Sequence, residues 1–226
     1  MRPQGVIRKS DSDVLPVNKM KIIGGAMKGM KIFSPPVYLR PMMAKAREAL
    51  FNSLDHLNII TADTRVLDLF AGSGSVGLEA MSRGAVHCTF VDLSDICIST
   101  IKTNTQHCRF PESACSYVCG RVEDALTTPQ QFGLVQPYQF VTITPPYKEV
   151  NYSQLIDLVS QTTLVEDDTV IVVEYPQEMG TLPHVIGNQR LFGLRNRKYG
   201  RTVLATYVYR PTMTYDMHSS EFGGLV

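Results

Sequence analysis

Short apolar runs alternate with segments of helical spacing over most of this 226-residue chain. The apolar runs predict strands over residues 66–70, 86–91, 117–119, 140–143 and 169–174. Helical spacing predicts a helix that ends near Ser82, a second from a capping Ser94 to about residue 106, and a third over 153–161. This alternation of strands and helices predicts an α/β fold with a mostly parallel sheet and helices on both faces.

The two ends of the chain depart from this alternation. Residues 20–33 predict a short, glycine-hinged hairpin, and apolar spacings of three and four predict a helix over 42–57. Residues 190–197 and 201–210 predict two strands joined by a tight turn, which would form an antiparallel edge of the sheet. Four segments follow from these patterns: a flexible leader at 1–19, a hairpin and helix at 20–60, a main domain at 61–210 and a flexible tail at 211–226.

The composition is that of an ordinary globular domain, with a hydrophobic fraction of 44%. No apolar run approaches the roughly 20 residues that span a bilayer, and the N-terminus lacks the apolar core of a secretory signal. Five cysteines are scattered along the chain without the spacing of metal ligands. We therefore expect reduced thiols, no metal site and no association with a membrane.

A net charge of only +1 conceals a strong segregation of charge along the chain. Residues 1–50 hold ten basic and three acidic residues, and residues 190–210 hold six basic residues and no acid. Between them, residues 51–189 hold six basic and sixteen acidic residues. If the two basic segments meet in space they form a face suited to nucleic acid, and otherwise they are two separate solvated faces.

A glycine-rich loop follows the first predicted strand, in the segment Asp68-Leu69-Phe70-Ala71-Gly72-Ser73-Gly74. Gly72, Gly74 and Gly77 match the spacing of a dinucleotide-binding loop, but a carboxylate at Asp68 would repel a pyrophosphate. That carboxylate suits the charged amino group of a methionine moiety, and Asp92 after the next strand can accept hydrogen bonds from both ribose hydroxyls. We therefore favour S-adenosylmethionine as the ligand over a nicotinamide cofactor or a tight turn that binds nothing.

A second motif, Thr144-Pro145-Pro146-Tyr147, follows the fourth predicted strand. The prolines fix the backbone, and a carbonyl there together with the residue-144 side chain can accept both hydrogens of an exocyclic amine. Tyr147 can stack on the face of a base. Alone this sequence is more often an ordinary turn, but behind a cofactor loop it predicts methylation of an amine, with catalysis mainly by positioning.

A third segment, Gly120-Arg121-Val122-Glu123-Asp124, follows the third predicted strand and is expected beside the adenine of the cofactor. Arg121 cannot accept a hydrogen bond from the adenine amine, so Glu123, Asp124 or the backbone would have to, and a solvated helix start is an equal alternative. The cofactor-binding candidates are Asp68, Phe70, Ala71, Gly72, Gly74, Asp92, Leu93, Arg121 and Val122.

Taken together, these motifs resemble the RsmD family, whose members methylate the exocyclic amine of a guanine in small-subunit ribosomal RNA. The resemblance extends from about Lys21 to Arg210 and is most specific in its N-terminal part. It rests on Lys21-Ile22-Ile23-Gly24-Gly25, Gly29, Arg40-Pro41, Arg47-Glu48-Ala49-Leu50-Phe51-Asn52, the glycine-rich loop, Leu78-Glu79-Ala80, Arg83-Gly84-Ala85 and Tyr199-Gly200.

The resemblance implies a class I, Rossmann-like methyltransferase fold with a mostly parallel seven-stranded sheet, S-adenosylmethionine as donor and a preassembled ribosomal particle as substrate. It implies that Thr144, Pro145, Pro146 and Tyr147 form the catalytic turn of a monomeric rRNA (guanine-N2-)-methyltransferase. It also implies RNA contacts from the N-terminal unit, for which the candidates are Lys21, Lys28, Lys31, Arg40 and Arg47.

The chain departs from the family pattern at three positions. Thr144 stands where the family has Asp or Asn, Arg121 where a small acidic or amide residue is usual, and Asp92 where Glu is common. The leader before Lys21 is longer than bacterial members usually need. The Thr-Pro-Pro-Tyr variant resembles plant, plastid-type relatives, which predicts the chloroplast stroma, with the bacterial cytoplasm as the alternative. Asp11 and Asp13 do not fit a transit peptide.

Two other interpretations of the same residues remain open. Similar Pro-Pro-Tyr turns serve methyltransferases that act on DNA adenine or on a protein glutamine. The basic N-terminal hairpin favours nucleic acid over protein, and the N-terminal motifs favour RNA over DNA. Because Thr144 lacks an amide or carboxylate, the chain is alternatively a catalytically weakened RNA-binding factor in ribosome assembly.

Overall fold

The computed structural model describes residues 20–37, 39–147 and 149–223, so the predicted leader at 1–19 lies outside the described residues. The strands are β1 (Met20–Lys21), β2 (Lys31–Ile32), β3 (Arg65–Leu69), β4 (His87–Asp92), β5 (Cys115–Cys119), β6 (Tyr138–Ile143), β7 (Val165–Pro176), β8 (Val185–Ile186), β9 (Leu191–Tyr199) and β10 (Thr202–Tyr209). The helices are α1 (Ala44–His56), α2 (Ser75–Ser82), α3 (Asp95–His107), α4 (Val122–Thr127) and α5 (Tyr152–Gln161).

The main sheet has the strand order β5-β4-β3-β6-β7-β10-β9-β8. The first five strands run parallel, and β10, β9 and β8 are each antiparallel to the preceding strand. This confirms the predicted α/β fold with a mostly parallel sheet and an antiparallel edge. The sheet has eight strands instead of seven because Val185 and Ile186 add a two-residue edge strand, which is too short to produce a sequence period.

The central strands are apolar on both faces because helices cover both sides of the sheet. In β3, Val66 packs into the core shared with α1, α2 and α3, and the next residue, Leu67, packs into the core shared with α4 and α5. Both side chains are fully buried, as expected for neighbouring residues that point to opposite faces of a central parallel strand. Continuous apolar runs, not alternating ones, therefore identified these strands.

The N-terminal hairpin β1–β2 is held to the end of α2 by the buried carboxylate of Glu79 together with hydrogen bonds to Ser82. Glu79 is fully buried and accepts hydrogen bonds from the backbone N–H groups of Ile23 at 2.8 Å and Gly24 at 2.7 Å. Gly25 has a φ of +74°, and a side chain there would collide with the carbonyl oxygen of Ser82. The hairpin is therefore part of the main fold and not an independent appendage.

A second polar link joins the chain after the hairpin to the glycine-rich loop. Asn104 of α3 is fully buried, and its side-chain oxygen accepts from the N–H of Phe33 at 2.7 Å. Its amide nitrogen donates to the carbonyl of Phe33 and to that of Ser73, both at 3.0 Å. One side chain thus holds two segments that the sequence separates by about forty residues.

Residues 211–223, which we expected to be part of a flexible tail, pack along the outer edge of β9. The N–H of His218 donates to the carbonyl of Leu194 at 3.0 Å, and Glu221 accepts from the N–H of Asn196 at 2.8 Å. Phe222 is 8% exposed and packs edge-on against the Tyr207 ring. The polar composition of this segment misled the prediction, because its polar groups satisfy an open strand edge.

Candidate active site

The predicted site residues converge at the carboxyl ends of β3, β4 and β6, which are neighbours in the sheet. The glycine-rich loop leaves β3, Asp92 ends β4, and the Thr-Pro-Pro-Tyr turn leaves β6. In open α/β sheets, ligands bind in the crevice at this edge. The order of strands therefore brings together two motifs that lie seventy residues apart in the sequence.

Left-handed backbone conformations shape the glycine-rich loop. Gly72 and Gly74 have φ angles of +56° and +75°, and Gly74 directly precedes α2. Phe70 also has a positive φ of 59°, while Ala71 is buried and its N–H donates to the carbonyl of Val91 at 3.1 Å. The loop is thus a tight turn between strand and helix. A Cβ atom at Gly74 would lie 3.1 Å from Ile101 and 3.3 Å from Phe90, so the packing beneath the loop also requires a glycine there.

Asp92 connects the glycine-rich loop to the next strand. One carboxylate oxygen accepts from the N–H of Gly72 at 2.8 Å, and the other accepts from the N–H of Ser94 at 2.9 Å. Burial raises the pKa of Asp92, and the two backbone donors lower it. Because a carboxylate offers about four lone-pair positions and Asp92 is only partly buried, it can still accept from ribose hydroxyls.

Asp68 is placed differently from the sequence-based expectation. It is 1% exposed, and its carboxylate accepts from the N–H of Gly77 at 3.0 Å and from the hydroxyl of Thr142 at 3.3 Å. Burial raises the pKa of Asp68 to about 7. The predicted direct contact with a methionine amino group is therefore corrected: Asp68 ties β3 to α2 and β6 beneath the loop.

The Thr-Pro-Pro-Tyr turn is attached directly to the start of the glycine-rich loop. The hydroxyl of Thr144 lies 3.3 Å from the carbonyl oxygen of Phe70 and 3.4 Å from that of Leu69, and it can only donate to them. Pro145 is buried, and the carbonyl of the exposed Pro146 accepts from the N–H of Glu149 at 3.2 Å. The Thr144 oxygen thus keeps its lone pairs for another donor.

Tyr147 is fixed at its hydroxyl end by two residues that the sequence did not single out. Its hydroxyl donates to Glu174 at 2.9 Å and lies 2.7 Å from the hydroxyl of Thr202. Burial raises the pKa of Tyr147 to about 12 and also raises the pKa of Glu174. Glu174 could have been recognised as a lone acid near the carboxyl end of the apolar strand β7.

Arg40 lies over the ring of Tyr147, with its guanidinium carbon 4.3 Å from the ring centre. Cation–π contacts of this kind place a flat cation where an aromatic base could otherwise stack. Arg40 is exposed, so the contact lies at the mouth of the site. The structure therefore brings a predicted RNA-binding residue and a predicted catalytic residue into direct contact.

The residues expected near the adenine are only partly brought into position. Leu93 follows Asp92 and is 54% exposed, so it offers an apolar surface beside the ribose candidate. Arg121 is exposed and pairs with Glu123 at 3.5 Å. Val122 is 2% exposed and packs into the core, so its side chain is not a ligand contact, which corrects the prediction for this residue.

Of the predicted RNA-binding residues, Lys21, Lys28, Lys31 and Arg40 are exposed, whereas Arg47 is not. Arg47 is 2% exposed, donates to the carbonyl of Lys21 at 2.7 Å and pairs with Glu79 at 3.6 Å. The prediction that Arg47 contacts phosphate is therefore wrong. Its place on the buried face of α1 makes it a structural support for the hairpin.

Within 20–37, 39–147 and 149–223, no group of three or more His, Cys, Asp or Glu side chains is arranged to hold a metal ion. In the same ranges, no helix combines the length and the apolar character that crossing a membrane requires.

Comparison with known proteins identifies the family. Residues 20–208 match the family model described as "Conserved hypothetical protein 95". The putative rRNA methyltransferase YlbH of Bacillus subtilis is 34% identical over 194 residues, which cover 84% of this chain and 100% of the relative. The Ribosomal RNA small subunit methyltransferase D of Escherichia coli is 31% identical over 176 residues, or 76% of this chain and 82% of the relative.

The chain belongs to the RsmD family. Among solved structures, the putative methyltransferase yhhF from Escherichia coli superimposes with a TM-score of 0.71 at 27% identity, covering 84% of this chain and 97% of that one. The fold is the class I fold of S-adenosylmethionine-dependent methyltransferases. Both expectations drawn from the motifs, the family and the fold, are confirmed.

Proposed function

We propose that the protein transfers a methyl group from S-adenosylmethionine to the exocyclic N2 amine of a guanine in small-subunit ribosomal RNA. The observation that carries this proposal is the attachment of Thr144 to the glycine-rich loop, with 3.3 Å between its hydroxyl and the Phe70 carbonyl. An acceptor for an amine thus lies beside a candidate cofactor loop. The names of the Bacillus and Escherichia relatives support ribosomal RNA as the substrate.

The residues around the loop fit S-adenosylmethionine. Gly72 and Gly74 allow the tight turn that places the loop at the crevice, Asp92 has lone pairs for two ribose hydroxyls, and Leu93 provides an apolar surface for the adenine. When bound, this cofactor supplies an electrophilic methyl group on a sulfonium. Asp92 stands where the family commonly has Glu. The shorter side chain is compatible with binding the ribose, because its carboxylate reaches the glycine-rich loop and accepts from the N–H of Gly72.

Thr144 and Pro145 are suited to orient the amine. The Thr144 hydroxyl donates its proton towards backbone carbonyls, so its oxygen accepts one amine hydrogen, and the Pro145 carbonyl accepts the other. The nitrogen lone pair then points out of the base plane, towards the methyl group. No strong base is required, because the amine proton leaves to solvent after the carbon–nitrogen bond forms. The catalytic contribution of the chain is then mainly positioning.

Tyr147 and Arg40 are suited to hold the guanine ring. Hydrogen bonds to Glu174 and Thr202 fix the tyrosine, which leaves its ring face as the stacking surface for an unpaired base. Arg40 can either sandwich the base against Tyr147 or move to a neighbouring phosphate. Both outcomes require the target guanine to leave its stacked position in the RNA.

Methyl transfer to small ribosomal subunits tests the proposal. Subunits from a bacterial strain that lacks its own enzyme are incubated with the protein and tritiated S-adenosylmethionine, and digested rRNA is analysed by mass spectrometry. We expect one N2-methylguanosine per particle with the wild type, and at least a hundredfold less with Tyr147→Ala. Label in protein, label on an adenine, or no label at all would contradict the proposal.

The predicted location in the chloroplast stroma and the monomeric state stay predictions. We propose the plastid on the likeness of the Thr-Pro-Pro-Tyr turn to plastid-type relatives. Subcellular fractionation of the source cells with an antibody against the protein tests the location.

A further inference from the structure

A groove separates α1 from the β9–β10 hairpin, on the sheet face that α1 covers. Its lining includes Ala49 and Ser53 of α1 and Arg195, Arg197 and Tyr199 of β9, and it encloses about 240 Å³. The α1 side offers small side chains, and the β9 side offers two guanidinium groups and an aromatic ring. None of these residues belongs to the predicted site or to the N-terminal lysines.

The spacing on β9 suits a polymer with repeated charges. Arg195, Arg197 and Tyr199 are two residues apart, so their side chains leave the same face of the strand. Successive side chains on one face of a strand lie about 7 Å apart. The groove therefore presents two cations and then one aromatic ring in a line.

The positive charge of the groove is only partly neutralised. Arg197 lies 3.1 Å and Arg195 4.0 Å from the same carboxylate oxygen of Glu221. One carboxylate is thus shared by two guanidinium groups, of which Arg197 is 52% exposed and Arg195 29%. A net positive charge remains available to an anionic ligand.

The groove leads to the proposed active site. Tyr199 ends β9, and the next strand begins at Thr202, whose hydroxyl lies 2.7 Å from that of Tyr147. At the turn between the strands, a Cβ atom on Gly200 would lie 3.7 Å from the Met43 side chain, just before α1. A chain that leaves Tyr147 can therefore enter the groove between α1 and β9 without crossing the body of the protein.

We propose that this groove binds single-stranded RNA next to the target nucleotide. Arg195 and Arg197 bind successive phosphates, and Tyr199 stacks on a flanking base, as aromatic and cationic side chains do in other single-strand binding grooves. The proposal rests on the proposed function and adds a second RNA-contacting surface to it. It also gives the basic segment 190–210 a role alongside the N-terminal cations.

Two double variants with the same change in charge test the groove. Arg195→Gln/Arg197→Gln alters the groove, and Arg109→Gln/Arg210→Gln removes two exposed arginines outside it. Binding of a fluorescent small-subunit rRNA transcript is measured from 50 to 200 mM salt. We expect only the groove variant to weaken binding, by roughly fivefold or more, and to flatten the salt dependence by about 0.7 per lost phosphate contact. Equal slopes for the two variants would overturn the proposal.

A variant that is expected to bind RNA more tightly provides a second test, because tighter binding cannot result from a failure to fold. Glu221→Gln removes the carboxylate charge that Arg195 and Arg197 share, while its amide oxygen can still accept from the N–H of Asn196. We expect this variant to bind the transcript more tightly and with a steeper salt dependence. Binding that is unchanged or weaker would argue against phosphate contacts in the groove.

The wild type separates this proposal from the proposed function. If the wild type methylates rRNA while the groove variant matches the Arg109→Gln/Arg210→Gln control in binding, only the groove proposal fails. If the wild type neither binds nor methylates the RNA, the proposed function fails and the groove proposal fails with it. Affinity for S-adenosylmethionine, measured by calorimetry, should be the same in all variants.

Discussion

At the scale of single residues, Asp68 shows that a buried structural carboxylate can be mistaken for a ligand-binding one when only the sequence is known. An acid at the end of a strand, before a glycine-rich loop, suggested a ligand contact, yet the carboxylate is 1% exposed and bound to Gly77 and Thr142. The position of Asp68 at the strand end could be predicted, but the direction of its side chain could not, because that direction depends on its partners in α2 and β6. The roles of Glu174 and Thr202 could not be predicted either, because their contacts with Tyr147 depend on how the strands are arranged in the sheet.

The buried carboxyl of Asp68 predicts a distinct pH dependence of stability. Its pKa is about 7 in the folded protein against 3.8 for the free group, so between about pH 4 and 7 the folded state keeps a proton that the unfolded chain releases. This group therefore makes stability fall as the pH rises through that window, by roughly 1–4 kcal/mol. Urea unfolding of wild type and Asp68→Asn at pH 4.5 and 7.5 measures the difference.

The asparagine is a suitable control, because its side-chain oxygen can accept from Gly77 and its amide can donate to Thr142. We expect the stability of wild type relative to Asp68→Asn to drop between the two pH values. Parallel stability profiles would show that Asp68 ionises normally in the folded protein.

The hydroxyl of Thr144 predicts a matched pair of kinetic effects. Thr144→Val keeps the shape and loses the oxygen, which should lower the methyl-transfer rate by roughly 10-fold, as expected for one lost hydrogen bond of about 1.4 kcal/mol. Thr144→Asn should match or exceed the wild type, since its amide oxygen reaches further. Single-turnover transfer at saturating cofactor measures both rates, and a valine variant as fast as wild type would remove Thr144 from the mechanism.

At the scale of elements, the predicted boundaries of the buried strands and helices agree with the structure to within a few residues. The helix at Ala44–His56 and the strand at His87–Asp92 could be predicted from their apolar residues, and the helix at Asp95–His107 could be predicted from its capping residue Ser94. The short strand β8 and the packing of residues 211–223 were not readable. The strand β8 is only two residues long, and residues 211–223 are held by a few scattered contacts, among them Glu221 and Phe222, so neither leaves a hydrophobic period.

The attachment of the N-terminal hairpin predicts a large effect at Glu79. This carboxylate accepts from two backbone N–H groups and faces Arg47 and Arg83, so Glu79→Ala leaves buried donors and a buried charge without a partner. Breaking such a pair typically costs about 3–5 kcal/mol. Urea unfolding measures the loss, and hydrogen exchange should show the N–H groups of Ile23 and Gly24 losing protection first.

The exposed Lys31 provides the contrast, because Lys31→Gln should leave stability within about 0.5 kcal/mol of wild type. If Glu79→Ala were equally well tolerated, the hairpin would not be held by this carboxylate.

At the scale of the whole molecule, the fold shows where the basic residues of the two basic segments lie, which the sequence alone could not show. Arg40 lies over Tyr147 at the mouth of the proposed site, and the arginines of β9 lie along the groove beside α1. Sequence could predict that two basic segments exist, and the sheet order decides that β9 reaches the region of α1. The family could be predicted from the sequence motifs, whereas the proposed path of an RNA strand could be inferred only from the fold.

The packing of residues 211–223 predicts a penalty for shortening the chain. A protein ending at Arg210 loses the Phe222 contact with Tyr207 and uncovers the edge of β9 at Leu194 and Asn196. Burial of one phenylalanine alone contributes about 2 kcal/mol, and an open strand edge promotes association. Urea unfolding and light scattering should reveal lower stability and larger particles, and a monodisperse protein of unchanged stability would contradict this role.

The hydrogen bonds of Asn104 have one further consequence for ligand binding. The Asn104 amide group bridges Phe33 and Ser73, so it connects the chain that precedes Arg40 to the loop at the cofactor crevice. Any ligand that stiffens one of them lowers the conformational entropy still to be lost at the other. If S-adenosylmethionine and RNA bind these two segments as proposed, linkage requires each ligand to strengthen the binding of the other by the same factor.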